Sequence, residues 1–323
     1  MDRPSDALVI CTRNRIDDIK RCLVSVEAVS YLPSRILVVD SSDGPETEEY
    51  CAQSDLPITY IRAPRGLTIQ RNIALSEIYE DIVHFIDDDV EVEPDYFRAL
   101  NQALHDSPHA AGAGGAMARP DAPAVPDTAA GHGTNTPGFI PRLMLKSSQH
   151  PGRVLRSGYN TGCFDSPDAI GVEWLPGCSM SFRMSAIRGL TFDERRTGYA
   201  LGEDVDFGLK ASERGPLLHT PTARMVHHVS PANRADFPDM VRASVHNRWA
   251  LATDFPHRVS RGLVVYSSIA EGLWIGVRVI VAPLLRWNAP TSVKRERAWR
   301  RRVAFALFAG VIDVLRDGPH ANP

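Results

Sequence analysis

Short apolar runs alternate with amphipathic stretches through the first ninety residues, and no other feature restricts the fold as much. The runs are 7–10, 35–39, 58–61 and 82–86. After the first, Ile16, Ile19, Leu23 and Val26 recur at helical spacing, and residues 46–53 and 67–76 are predicted helices. Strand and helix in this rhythm imply parallel βαβ units with right-handed crossovers. The chain is 323 residues long, enough for one large α/β domain with an appendage or for two modest domains. Its 43% apolar and 23% charged residues suit a globular protein with a real core.

Polar chemistry collects where the predicted strands end. Thr12 and Arg13 follow the first, Asp40 the second, Arg65 the third, and Asp87, Asp88 and Asp89 the fourth. Open α/β sheets bind ligands at the carboxyl ends of their strands, so four polar ends favour a nucleotide pocket. Three carboxylates in series repel one another and make poor strand material. They are explained by a bound divalent cation or sugar nucleotide, the alternative being a solvated acidic turn before Pro94. No GxGxxG fingerprint or P-loop follows the first strand, which disfavours dinucleotide enzymes and P-loop NTPases.

The net charge of −3 argues against a nucleic-acid partner. Five cysteines (Cys11, Cys22, Cys51, Cys163, Cys178) form no CxxC pair and read as reduced residues of a cytoplasmic protein. No apolar stretch precedes the first strand, so a secretory signal is not expected.

Residues 118–171 are rich in Pro, Gly, Thr and Ser and read as a long mobile loop or lid. Order returns around Trp174 and Gly177. Glu203 and Asp204 then open a helix, where carboxylates could simply complement its dipole. His227 and His228 close a strand; a lone histidine there would read as structural, but a pair near an acidic cluster favours ligation.

Taken in order, the Asp40 strand end, Arg65-Gly66 with Arg71-Asn72, Phe85-Ile86-Asp87-Asp88-Asp89, Gly177 with Arg183, Gly202-Glu203-Asp204 and a downstream His resemble the family-2 inverting glycosyltransferases of the GT-A fold. The match spans roughly residues 7–230, with a looser likeness to bacterial enzymes that build cell-surface polysaccharides. The resemblance implies a Rossmann-like, mostly parallel sheet: a catalytic domain at 1–240, with 118–171 as an acceptor-side loop, and a helical extension at 241–323. It implies that Thr12, Arg13 and Asp40 hold base and ribose, and that Arg65, Arg71 and Gly177 line the donor site. Asp87 and Asp88 would reach ribose or metal. Asp89, Asp87 and His227, or His228 in the other register, would bind Mg²⁺ or Mn²⁺. Asp204 would be the general base, supported by Glu203. Trp174 would face an acceptor sugar, a core role being equally compatible. The implied donor is a nucleotide sugar and the implied acceptor a glycan or lipid-linked glycan. One departure is that 245–249 lacks the Gln of the QxxRW motif, which argues against a processive, product-extruding polymerase. The rivals are a non-catalytic sugar-nucleotide or glycan-binding protein on the same fold and a nucleotidyltransferase.

The tail carries its own signal. Residues 262–285 are strongly apolar, with Ser267, Glu271, Trp274 and Arg278 in a narrow stripe at helical spacing. Residues 286–302 carry seven basic side chains against one acidic. This pattern suits a helix lying on a membrane surface, so 262–315 is expected to make peripheral contact at the inner face of the plasma membrane. The alternative is packing on the catalytic core or in a homodimer.

Overall fold

A computed structural model describes residues 4–118, 138–163, 166–196, 201–228, 236–284 and 291–318. Most of the Pro/Gly-rich stretch (119–137), the lead into Glu203 (198–200) and residues 285–290 of the tail lie outside them. The chain divides into two compact units, 1–124 with 163–233 and 125–162 with 234–323.

The first unit opens with the expected alternation: β1 (Asp6–Thr12), α1 (Ile16–Glu27), β2 (Arg35–Asp40), α2 (Glu46–Ala52), β3 (Ile58–Arg62), α3 (Leu67–Glu77) and β4 (Ile82–Asp87). Strand β1 pairs in parallel with β2 and β4, and β2 with β3. Side chains alternate across a strand, so Leu8 and Ile10 pack with Ile19, Leu23 and Phe97 on one face. Ala7 and Val9 pack with Ala74, Phe85 and Phe207 on the other. A parallel sheet covered on both faces needs such continuous apolar runs, which is why these four strands stood out in the sequence.

Beyond β4 the sheet becomes mixed. β5 (Val90–Val92), α4 (Tyr96–Asp106), β6 (Gly112–Ala118), β7 (Ile170–Val172), β8 (Ser179–Arg183), α7 (Glu203–Ser212) and β9 (Leu217–His227) give the order β3-β2-β1-β4-β8-β6-β9-β5, with β7 on β9. Short helices α5 (Phe139–Leu143) and α6 (Met184–Ile187) complete the numbering to this point. Strand β6, Gly-Ala-Gly-Gly-Ala-Met-Ala, has weak strand propensity but close neighbours. A Cβ on Gly115 would lie 2.4 Å from the Ala223 carbonyl oxygen, so only glycine fits between the strands there.

The second unit holds α5, α8 (Phe237–Asp254), α9 (Arg261–Leu284) and α10 (Thr291–Asp317). Asp236 caps α8 by accepting from the Phe237 N–H. Val241 and Val245 of α8 meet Val303, Leu307 and Val311 of α10 in its core. The sequence assigned 125–162 to the catalytic domain; its contacts place it with these helices instead. Among the described residues no helix is long and apolar enough to cross a membrane.

Candidate active site

The carboxyl ends of β1, β2 and β4 lie side by side: Thr12 is in register with Asp40, and Cys11 with Asp87. The Asp87–Asp89 run leaves β4 at that edge. Short strand β5 then pairs antiparallel with β9, Val90 opposite His227. This register decides between the two histidines. His227 points inward with Ala223 and Met225, and its Nε2 lies 2.9 Å from Asp89 Oδ1. His228 faces the other way, its Nε2 2.8 Å from Glu91 Oε1, and does not join the Asp87–Asp89 group.

Asp87, Asp89 and His227 each offer one ligand atom, all within 4.8 Å of one another. Two carboxylates and one imidazole form a mostly hard donor set that fits Mg²⁺ or Mn²⁺, the nitrogen tilting it toward Mn²⁺. The surrounding charge fits as well. Burial pushes the Asp88 carboxyl up to about 7, against the pull of Arg15 and the Thr12 hydroxyl. Burial also raises Asp87, opposed by Arg71 and reinforced by Asp89. Burial disfavours a charge on His227, yet Cys178 and Asp89 outweigh it and raise its pKa to about 10. A site that keeps its protons this firmly is short of positive charge.

Asp88 is engaged within the protein. It accepts from Thr12 Oγ1 at 2.7 Å and from Arg15 at 2.9 Å, so the Thr12 hydroxyl is committed to the acidic run. Asp40 is fully buried: Ser42 donates from its backbone N–H and hydroxyl, and the Tyr60 hydroxyl donates at 2.9 Å. Arg13 lies 3.7 Å from Asp43, and Arg65 is exposed just before α3.

Arg71 is placed differently from its expected donor-site role. It is buried, hydrogen-bonded to Glu203, 3.3 Å from Asp87 and donating to the Gly177 carbonyl at 2.9 Å. Its guanidinium therefore spans the gap between the Asp87 run and the start of α7, with Phe192 5.3 Å away. Gly177 permits this, since a Cβ there would come within 2.9 Å of Glu203 Oε1. Both Glu203 oxygens are taken, one by Arg71 and one by the Asp204 N–H. Burial and the Asp204 charge push Glu203 up while Arg71 pulls it down. Asp204 also has both oxygens engaged, by the Gly177 N–H at 3.0 Å and the Val205 N–H at 2.8 Å, but it is only partly buried. Of the two carboxylates it is the more exposed.

Trp174 corrects one expectation. It is 1% exposed, with Gly208 packed against it, and offers no face to an acceptor sugar. Two contributors went unassigned in the sequence. Arg15 binds Asp88, signalled only by the basic loop after β1, and Gln70 Nε2 ties the carbonyls of Thr12 and Val39 together at the strand ends.

Residues 7–162 match the family model for glycosyl transferase family 2. Among solved structures, the fold is similar to a mannosyltransferase from Pyrobaculum calidifontis in complex with GDP-Man and Mn²⁺. That match has a TM-score of 0.58 and 15% identity and covers 98% of this chain and 88% of that one. No curated protein sequence matches the chain significantly.

Proposed function

We propose that this chain, whose residues 7–162 match the model of glycosyl transferase family 2, moves a sugar from a nucleoside-diphosphate sugar to an acceptor hydroxyl with inversion, using Mg²⁺ or Mn²⁺. The observation that carries this reading is the Asp87–Asp89–His227 group at the sheet edge, joined through Arg71 to the pair Glu203–Asp204. Asp87, Asp89 and His227 would hold the cation, which supplies charge stabilisation to the departing diphosphate. Asp88, fixed by Thr12 and Arg15, keeps the run oriented. Thr12, Arg13, Asp40 and Arg65 sit on the edge that would bind nucleotide, Arg65 being exposed for a phosphate. Asp204 would take the proton of the attacking hydroxyl, a contribution of roughly 10²–10⁴ in rate. Glu203 is a positioning residue that holds Arg71 against Asp87.

A bound nucleotide sugar in the Pyrobaculum mannosyltransferase supports the donor class. The acceptor is proposed to be a glycan or lipid-linked glycan of the cell surface, met by an enzyme seated on the inner face of the plasma membrane through its helical tail. The test is release of nucleoside diphosphate from a panel of GDP-, UDP- and dTDP-sugars, with and without Mn²⁺. One donor should be consumed only with the cation. Nucleotide binding without turnover on any donor would make the chain a sugar-nucleotide-binding protein.

A further inference from the structure

Helix α9 has its polarity reversed. Ser267, Ser268 and Glu271 are buried. Lys146 Nζ lies 2.5 Å from one Glu271 oxygen, and the Tyr159 hydroxyl donates to the other at 2.5 Å. Arg248 donates to both serine hydroxyls, at 3.1 and 2.9 Å. The opposite side is apolar and open: Tyr266 is 44% exposed, Leu273 58% and Val277 48%. At 3.6 residues per turn Leu273 and Val277 fall within about 20° of Tyr266, while Glu271 lies about 140° away. The Tyr266 hydroxyl donates to the Leu143 carbonyl, and exposed Leu143 and Phe139 of α5 extend the apolar surface. A helix that takes its salt bridge inward and leaves a leucine-valine stripe outside is built for an apolar medium beside it.

The charge around the stripe identifies that medium. Arg278, next to Val277, is exposed, and in the sequence the stretch 286–302 that follows α9 holds seven basic residues against one acidic. The one acid of α9 is neutralised internally by Lys146. A second copy docking on this face by twofold symmetry would bring Arg278 toward its own image. An anionic lipid surface accepts both the apolar stripe and the arginines, and among the described residues no helix is suited to spanning. We infer that the Tyr266–Leu273–Val277 face of α9 seats the protein in the interface of an anionic bilayer, with the Lys146–Glu271–Tyr159 lock keeping that face turned outward. This rests on the proposed membrane location and deepens it by naming the face.

The test is flotation of the full chain with phosphatidylcholine vesicles, with or without phosphatidylglycerol, beside size-exclusion light scattering. Wild type should float with the anionic vesicles at low salt and not with neutral ones. Leu273→Glu/Val277→Glu should lose at least about tenfold in bound fraction, and the milder Leu273→Ser/Val277→Ser should show the same direction if the charged pair fails to fold. Equal flotation of folded variants and wild type would overturn the inference. So would a protein that ignores vesicles but forms a dimer dissociated by these changes. Binding of GDP or UDP with Mn²⁺ should be unchanged in the variants. That separates failure of this inference from failure of the catalytic reading, in which wild type itself would not bind nucleotide.

Discussion

Each of the two units buries a cluster of charges, and the clusters are unbalanced in opposite directions. In the sheet unit, Asp87, Asp88, Asp89, Glu203 and Asp204 share Arg15, Arg71 and His227. In the helical unit, Lys146 pairs with Glu271, and among the described residues Arg248 lies 3.8 Å over the Tyr159 ring and on two serine hydroxyls. The helical cluster is completed by neutral groups of its own chain. In the acidic cluster, burial raises Asp87 and holds Asp88 at about 7. A buried ion group closed by its own partners acts as a lock, whereas one in which carboxylates outnumber cations among the described residues is a candidate site.

The largest expected effect is on chemistry. Asp204→Asn should bind the donor nucleotide with near-native affinity while transferring at least about a hundredfold more slowly, as steady-state rates beside calorimetry would report. Normal turnover would remove Asp204 as the base and leave the acidic cluster with a binding role only.

The matching change in the lock should act on stability. Lys146→Met leaves Glu271 buried without its cation and should cost about 3–5 kcal/mol of unfolding free energy, read from denaturant melts. A Lys146→Met/Glu271→Leu double change, which removes both charges, should recover much of that loss. No recovery would mean that the pair is not a closed unit.

A smaller effect separates the clusters by pH. The folded Asp88 pKa, about 7, stands above the ordinary carboxyl value of 3.8 expected in the unfolded chain. A raised carboxyl contributes stability that is complete below the unfolded value and is lost as pH rises through the folded one. Three units correspond to about 4 kcal/mol at most. Without divalent cation the thermal midpoint should therefore fall from about pH 4 to 7 and level off above, and Mn²⁺ should raise it more at pH 8 than at pH 6, because protons no longer compete. Asp88→Asn should flatten the cation-free profile. An unchanged slope in that variant would contradict the assigned origin.

The same contrast marks what the sequence could reveal. Strands β1 to β4 and the acidic run were legible because a parallel strand covered on both faces must be apolar along its length, so a sudden carboxylate marks its end. Strand β6 was not, because close packing forces small residues with little strand character, as at Gly115. Arg71 was recognised but misplaced: its partner Glu203 lies 132 residues away, and no local pattern distinguishes a phosphate ligand from a bridge. The sequence stripe on α9 was real, but it did not show which way it faced. Lys146 and Tyr159, 125 and 112 residues from Glu271, hold its Ser267–Glu271 part inward, while Arg278 stays exposed, and draw 138–162 into the helical unit. Trp174 stayed open between acceptor face and core in the sequence, since an aromatic beside a site looks the same whichever it faces, and its burial puts it in the core.

The central claim is that the over-acidic cluster is a cation site serving a nucleotide, and nucleoside diphosphate titration with and without Mn²⁺ tests it most directly. In wild type Mn²⁺ should tighten GDP or UDP binding at least about tenfold, or about 1.4 kcal/mol. In Asp89→Ala, which removes one of the three ligands while keeping the fold, the cation should make no difference. Equal affinity with and without Mn²⁺ in both proteins would contradict the assignment of Asp87, Asp89 and His227 as a metal site.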